Sequence, residues 1–282
     1  MIETGFWQNV RSTQNRPLVC GILNVTPDSF SDGGQYRSAP RAIEHGLQLA
    51  AQGADLLDIG GESARPGADP VPIEAELERV LPVIEGISQQ SSIPISIDTM
   101  KPEMARAALA AGAKVWNDVS ALAFDPNSAA MAAELDCPLI LMHMQGAPKT
   151  MQKNPTYGDV LAEVIVFLQS RIELALQAGV KRCNIMVDPG IGFGKKLADN
   201  LALLANLDRL AEQTGCPVLL GASRKRFIAD LDPQASADQR LGGSLASIAA
   251  AFAQKVALVR VHDVAETVQM LRVLEAIEHG KT

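Results

Sequence analysis

The sequence lacks three features that would place it in other classes of protein. It has no run of 18 apolar residues, so no segment is predicted to span a membrane. Its net charge is −7, which argues against general nucleic-acid binding, because such binding usually needs a basic surface. Its four cysteines form no C-x-x-C pair and lie at or just before apolar runs. This pattern favours buried, reduced thiols over disulfides or metal ligands.

The first ten residues, MIETGFWQNV, contain neither a basic segment nor an apolar one. A secretory signal needs both, so we expect a cytoplasmic protein. Hydrophobic residues make up 47% of the 282 residues, enough for a globular chain with a sizeable core. Because no linker is visible, we expect a single domain over 1–282, with a short lead-in at about 1–16.

Short apolar runs alternate with longer segments of helical periodicity along the whole chain. Apolar residues within 77–84 and 161–172 recur with the spacing of an amphipathic helix. Pro102 suits the first turn of another helix. Eight apolar runs are predicted to be strands: 18–23, 56–59, 95–97, 115–116, 139–142, 185–187, 218–220 and 258–261.

Eight strand–helix units in series predict an α/β fold, a single (β/α)8 TIM barrel. The alternative is a doubly wound open sheet. Polar residues end strands along the entire chain instead of clustering at one switch point, which favours the barrel. A short helix is expected at 224–230, between the seventh strand and its main helix.

Each predicted strand has a polar residue at or just past its end. In a barrel these residues point into or around one mouth, and buried charges are costly unless they are paired or bind a ligand. A binding site therefore explains the set better than core stabilisation does, although single members could also be helix caps. The set is Asn24, Asp58, Asp98, Asn117, His143, Asp188, Ser223, Lys225, Arg260 and His262.

Carboxylates, an amide and a lysine at one mouth suit a flat heterocycle that forms hydrogen bonds. A carboxylate can accept from two neighbouring N–H groups, and charged hydrogen bonds contribute about 1.5–3 kcal/mol each. Arg65, Arg260 and His262 add positive charge and could bind a diphosphate. Mg²⁺ could be shared between phosphate oxygens and Asn24, since it prefers oxygen ligands and keeps several waters. Taken alone, Arg65 could equally be a solvated loop charge.

Other chemical motifs fit the sequence less well. Residues 190–194 lack the G-x-G-x-x-G spacing of a dinucleotide site, and the Gly-Lys pair at 194–195 lacks the remaining residues of a P-loop. Ser223 does not stand in G-x-S-x-G. His143 and His262 lack the spacing of zinc ligands, and His143 alone is more often a structural histidine.

Seven motifs, in order, resemble the signatures of the dihydropteroate synthases and cover nearly the whole chain. The resemblance implies a barrel enzyme of folate biosynthesis that joins 6-hydroxymethyl-7,8-dihydropterin diphosphate to 4-aminobenzoate, giving 7,8-dihydropteroate and pyrophosphate. The motifs are GILNVTPDSFSDGG at 21–34, GGESARPGA at 60–68, NDVSAL at 117–122, LMHMQGAPKTMQ at 141–152, DPGIGFGK at 188–195, GASRK at 221–225 and RVHDV at 260–264.

The resemblance also implies which residues act on each part of the substrates. The catalytic residues would be Asp98, Lys225 and Arg65. The pterin would contact Asp98, Asn117, Asp188, Lys225, Phe193, Met142 and, by stacking, Arg260. The diphosphate would contact Asn24, Arg65, Arg260, His262 and Ala64, with Asn24 also holding Mg²⁺. The 4-aminobenzoate would contact Phe30, Pro66, Lys225 and Ser223.

The implied reaction needs no protein nucleophile. The C–O bond of the pterin diphosphate breaks first, and the aniline nitrogen then attacks the pterin methylene carbon. Asn24, Arg65 and His262, with Mg²⁺, would stabilise the departing diphosphate. Asp98 would stabilise the cationic pterin.

Two residues depart from the family pattern. Ala64 stands where a threonine is usual, and we expect altered substrate or sulfonamide affinity with the chemistry retained. Arg226 stands where many members have a serine that helps hold the benzoate carboxylate; its own backbone N–H or Ser223 could serve instead. A homodimer is expected from the family alone.

Two other functions stay open at this point. A methyltetrahydrofolate-dependent methyltransferase of the same barrel family would share the pterin pocket, but it would not need Arg65 or the 221–225 motif. A non-catalytic pterin-binding paralogue would bind the pterin without turnover, and Ala64 keeps this alternative open.

Overall fold

The computed structural model describes residues 6–7, 16–26, 35–62, 70–146 and 149–280. In this part of the chain, eight strands alternate with ten α-helices. The strands are β1 (Leu18–Asn24), β2 (Leu56–Gly60), β3 (Ile95–Asp98), β4 (Val115–Asp118), β5 (Leu139–Met142), β6 (Ile185–Asp188), β7 (Leu219–Leu220) and β8 (Leu258–Val261). The helices are α1 (Gln35–Ala51), α2 (Ile73–Ser88), α3 (Pro102–Ala110), α4 (Ser128–Leu135), α5 (Val160–Ala178), α6 (Leu197–Leu204), α7 (Leu207–Thr214), α8 (Arg226–Leu231), α9 (Leu241–Ala253) and α10 (Val264–His279).

The strands form one parallel sheet that nearly closes on itself. The strand order is β6-β5-β4-β3-β2-β1-β8-β7, and a parallel bridge between Val187 and Val218 joins β6 to the residue before β7. The predicted (β/α)8 TIM barrel is therefore confirmed, and the open sheet is wrong.

The predicted strands are also confirmed, with small changes at their ends. Five of the strands, β1, β2, β3, β4 and β6, continue one or two residues beyond the last apolar residue of each run, because the sheet pairing continues into the residues that follow. The predicted short helix is corrected. It begins at Arg226 and not at residue 224, since Arg224 has a φ of +58°, which a right-handed helix cannot include.

The buried apolar residues form two clusters because successive strand residues face opposite sides of the sheet. Val19 and Leu57 belong to the larger cluster, which also contains helix residues such as Ile84 and therefore lies between the strands and the helices. Their neighbours Leu18 and Leu56 belong to the smaller cluster, which fills the interior of the barrel.

Trp7 belongs to the interior cluster, although the sequence placed it in the lead-in. Its side chain is 2% exposed, and its indole N–H donates to the carbonyl of Asn184, at a distance of 2.8 Å. Asn184 directly precedes β6, so Trp7 covers the end of the barrel where the strands begin.

All four cysteines are free thiols, and Cys20, Cys137 and Cys216 are buried. Within the described ranges, every helix is too short or too polar to cross a membrane.

Candidate active site

The interior of the barrel changes from apolar to polar along each strand. In four strands the residue two positions after an apolar interior residue is polar or charged, so it faces the same interior nearer the mouth. These pairs are Leu56 and Asp58, Val115 and Asn117, Met186 and Asp188, and Leu258 and Arg260.

Arg260 connects two carboxylates from neighbouring strands. Its Nε donates to Oδ2 of Asp58 at 2.5 Å, and its Nη2 donates to Oδ2 of Asp98 at 2.8 Å. Nδ2 of Asn117 donates to the same Asp58 oxygen at 3.1 Å. The other oxygen of Asp58 is buried and accepts no hydrogen bond from any residue that the structure describes. The network thus places two carboxyl groups against one guanidinium group.

Burial within this network brings the titration of Asp98 close to neutral pH. Its pKa is raised to about 7, first because burial disfavours the carboxylate and then because Asp58 is close, while Arg260 opposes both effects. Burial lowers the pKa of Arg260, but the two carboxylates outweigh it and the pKa is raised overall. A carboxyl group with a pKa near 7 can gain or lose a proton under working conditions.

Asp188 and Lys225 face the same space as Arg260. A Cβ atom on Gly221 would lie 3.7 Å from Oδ2 of Asp188, 3.9 Å from Nζ of Lys225 and 4.0 Å from Cβ of Arg260. The absence of a side chain at Gly221 therefore leaves room where three functional groups converge.

The electrostatics of Asp188 and Lys225 are coupled. Burial lowers the pKa of Lys225 to about 8, although Asp188 raises it. Burial raises the pKa of Asp188, and Lys225 opposes this shift. Oδ1 of Asp188 accepts from the N–H of Gly190 at 2.7 Å. Nζ of Lys225 lies 4.5 Å from the ring centroid of Phe193, so Phe193 forms an apolar wall beside the lysine.

Ser223 and His262 form a second polar pair at the ends of β7 and β8. Oγ of Ser223 lies 3.0 Å from Nδ1 of His262 and accepts from the backbone N–H of His262 at 3.2 Å. Next to this pair, Arg224 forms an ion pair with Asp263, with Nε 3.0 Å from Oδ2. The loop after β7 is therefore tied to the loop after β8.

The structure places most of the predicted site residues at one mouth. Met142 is paired with Asp188 in the register of β5 and β6. Asn24 of β1 is paired with Gly60 of β2, and Gly60 is paired in turn with Asp98 of β3. The predictions for Phe30, Ala64, Arg65 and Pro66 lie outside the described residues.

Two residues at the mouth were not assigned a role from the sequence. Asp58 was recognised as a strand-end residue, but its pairing with Arg260 was not foreseen. Its position two residues after Leu56, on the interior face, is the signal that could have assigned it. The buried Lys195 was missed, and His143, set aside as structural, is its partner: Nζ of Lys195 lies 2.9 Å from Nδ1 of His143.

Comparison with known proteins places this geometry in a family. The model of the family described as pterin binding enzyme matches residues 20–262. The dihydropteroate synthase of Escherichia coli (strain K12) is 46% identical over 278 residues, which cover 98% of this chain and 97% of that protein. The dihydropteroate synthase of Xanthomonas albilineans, solved with 4-aminobenzoic acid, is 52% identical, with a TM-score of 0.88 and 93% of each chain covered. Its structure in complex with 7,8-dihydropteroate is 49% identical, with a TM-score of 0.84, covering 93% of this chain and 94% of that chain.

The barrel, its polar mouth and the family match define a pterin-binding barrel enzyme. The similarity extends over nearly the full length of the compared proteins. The chain belongs to the dihydropteroate synthases. It is a transferase of folate biosynthesis, and the prediction from the seven motifs is confirmed.

Proposed function

We propose that the mouth binds the pterin of 6-hydroxymethyl-7,8-dihydropterin diphosphate and transfers its pterinylmethyl group to 4-aminobenzoate. The products are 7,8-dihydropteroate and pyrophosphate. The observation that carries this assignment is the convergence of Asp188, Lys225 and Arg260 around the space above Gly221. The X. albilineans enzyme binds 4-aminobenzoic acid and 7,8-dihydropteroate, which supports the same substrates here.

The pterin ring is held by groups of matching hydrogen-bonding character. The carboxylates of Asp98 and Asp188 and the amide of Asn117 take its N–H groups, while Lys225 donates to its carbonyl oxygen. Phe193 and Met142 supply apolar walls. The guanidinium of Arg260 is already held by Asp58 and Asp98, so it presents a fixed plane on which the ring stacks.

The diphosphate is bound at the rim by Asn24, Arg260 and His262, together with Arg65 and Ala64. Mg²⁺ suits this arrangement because it takes most of its ligands from phosphate oxygens and water. The amide oxygen of Asn24, at the end of β1, would supply the protein ligand. When bound, Mg²⁺ neutralises charge on the leaving diphosphate.

The reaction follows from these placements without a covalent enzyme intermediate. The electron pair of the breaking C–O bond leaves with the diphosphate, whose charge His262 and the arginines stabilise. Asp98 stabilises the positive pterin. The lone pair of the aniline nitrogen forms the new C–N bond, and this nitrogen then transfers its proton to water or to the released pyrophosphate. Phe30, Pro66, Ser223 and Lys225 hold the 4-aminobenzoate.

We further propose that the chain acts as one domain over 1–282, forms a homodimer and works in the cytoplasm. The family resemblance supports the dimer. Sedimentation of the purified protein distinguishes a dimer of about 60 kDa, twice the 30.0 kDa chain, from a monomer.

The deciding experiment measures pyrophosphate release from the dihydropterin diphosphate with Mg²⁺, with and without 4-aminobenzoate. We expect release coupled to dihydropteroate formation, largely lost in Arg65→Ala and Lys225→Met and retained in the exposed control Lys196→Ala. Pterin binding without release would contradict the synthase assignment and favour the non-catalytic paralogue. Dependence on a corrinoid would favour the methyltransferase.

A further inference from the structure

The turn at 190–194, between β6 and α6, is built around side-chain donors. Its five consecutive carbonyl oxygens each accept a hydrogen bond from a side chain. Lys195 donates to the carbonyls of Gly190 and Phe193, Lys225 donates to that of Ile191, Gln152 to that of Gly192, and Tyr157 to that of Gly194. The shape of the turn therefore depends on these donors, and Lys195 is the one that bonds two of its carbonyls.

The ammonium of Lys195 is enclosed by acceptors. Nζ lies 2.9 Å from the carbonyl oxygen of Gly190, 3.0 Å from that of Phe193 and 3.4 Å from that of His143, besides its 2.9 Å contact with Nδ1 of His143. The side chain is 3% exposed, and no carboxylate among the described residues forms an ion pair with it. Carbonyl oxygens around one buried positive charge are the surroundings that proteins give to a bound cation.

His143 is neutral at working pH, whereas Lys195 titrates close to neutral pH. Burial and the nearby Lys195 lower the pKa of His143 to about 3, so the ring is neutral at working pH. A lysine ammonium has only donors, so Nδ1 of His143 accepts and its proton sits on Nε2. Burial lowers the pKa of Lys195 to about 7, so the ammonium predominates below that pH, and the surrounding acceptors stabilise this charged form.

Lys195 lies where the turn packs on the segment after β5. A Cβ atom on Gly190 would lie 1.9 Å from the carbonyl oxygen of His143, and one on Gly194 would lie 2.4 Å from that of Gln145. The two backbones therefore touch directly. The contacts of Lys195 with His143, Gly190 and Phe193 join the two segments at this junction.

The turn carries one group of the pterin site and contacts a second. Phe193 belongs to it, and its carbonyl oxygen is held by Lys195. The carbonyl of Ile191 accepts from Nζ of Lys225, which lies over the ring of Phe193. A displacement of the turn would therefore move both Phe193 and Lys225.

We propose that Lys195 is a positioning residue for pterin binding. Its ammonium takes the place of a bound monovalent cation inside the turn at 190–194, and by fixing the turn it fixes Phe193 and Lys225. The proposal rests on the pterin-binding roles assigned to those two residues above.

The first test separates binding of the two substrates. In Lys195→Ala and Lys195→Met we expect the KM for the dihydropterin diphosphate to rise at least about tenfold, since hydrogen bonds to a charged group are lost, and the KM for 4-aminobenzoate to change less. KM does not depend on the concentration of active enzyme, so partial unfolding would lower the apparent kcat alone. Lys196→Ala, at the exposed neighbouring lysine, should keep both KM values. An unchanged pterin KM in both Lys195 variants overturns the proposal.

The second test asks whether the positive charge is what matters. Lys195→Ala removes three carbons and the ammonium, which together correspond to propylammonium. Added propylammonium should lower the pterin KM of Lys195→Ala, while propan-1-ol at the same concentration should not. Lys195→Met fills the space and should not respond. Equal rescue by the alcohol would show that volume alone is restored, and it would overturn the cation role.

Lys225→Met distinguishes a failure of this inference from a failure of the proposed function. If Lys225→Met leaves pterin binding unchanged, the assignment of the pterin site is wrong, and the inference falls with it. If Lys225→Met weakens pterin binding and the Lys195 variants do not, the site assignment holds and the role of Lys195 is wrong.

Discussion

Removal of the arginine that joins Asp58 and Asp98 tests the electrostatics of the mouth. In Arg260→Met the two carboxylates, 1% and 15% exposed in their side chains, would lose their shared cation while their burial stays similar. Breaking a buried ion pair by removing one partner costs about 3–5 kcal/mol, because a charge is left buried and uncompensated. We expect this loss of unfolding free energy at pH 8, with a fall in Tm of about 6–10 °C for a chain of this size.

The loss should depend on pH because Asp98 can escape the repulsion by taking a proton. Its pKa is already about 7 with Arg260 present, and it must rise when the cation is removed. At pH 6 Asp98 is mostly protonated in both proteins, whereas at pH 8 it is ionised only in the wild type. Each unit of pKa difference is worth about 1.4 kcal/mol, so the difference in unfolding free energy between the two proteins should widen by about 1 kcal/mol, and by about 1.4 kcal/mol at most, from pH 6 to pH 8.

The assay is denaturant unfolding and Tm at pH 6, 7 and 8. Arg106→Met is the matched control, because Arg106 and Glu134 also form a two-point ion pair, with Nη1 and Nη2 at 2.8 and 2.6 Å from the carboxylate oxygens, but on the exposed surface, where such pairs contribute little. The double variant Asp58→Asn/Arg260→Met should recover part of the loss. A loss that is the same at every pH, or no larger than that of Arg106→Met, would refute this account.

Three further predictions concern Trp7, Gly190 and Asp98. Trp7→Ala should lower the unfolding free energy by about 3–5 kcal/mol and leave the KM of both substrates unchanged, with Trp7→Phe losing less; a change in KM would place Trp7 nearer the mouth. Gly190→Ala should abolish pterin binding measured by calorimetry, because its Cβ would lie 1.9 Å from a carbonyl oxygen; wild-type affinity would contradict the packing. The raised pKa of Asp98 makes the folded state bind its proton more tightly than the unfolded chain, whose pKa is 3.8, so the contribution of Asp98 to the unfolding free energy falls as pH rises from about 4 to 7. Asp98→Asn should flatten this slope, and an unchanged slope would exclude Asp98 as its source.

The order of strands and helices could be predicted from the sequence because it depends on local patterns. Each strand is a short apolar run, and each predicted helix places its apolar residues on one face. The ends of the strands were predicted too early, since hydrophobicity stops at Leu23 or Ile97 while the hydrogen-bonded ladder continues to Asn24 and Asp98.

The pairing of charges at the mouth could not be predicted in the same way. Asp58 and Arg260 are 202 residues apart in the sequence. Which carboxylate at a strand end contacts which cation is fixed only when the barrel closes. Lys195 was missed for a related reason. Its burial depends on His143, 52 residues earlier, and a lysine after a glycine-rich stretch is otherwise expected at the surface.

The fold tolerates a polar mouth because the interior at the other end of the barrel is apolar. Along β2 and β8, Leu56 and Leu258 lie in the interior cluster that Trp7 covers, and Asp58 and Arg260 follow two residues later on the same face. A substitution at the Trp7 end should therefore change stability first, whereas one at the Asp58 end changes charge and substrate binding as well. The Asp58 oxygen that has no hydrogen-bond partner among the described residues lies at the boundary between these two halves. Its cost is tolerated because the same carboxylate fixes Arg260, and Arg260 holds the plane on which we propose that the pterin stacks.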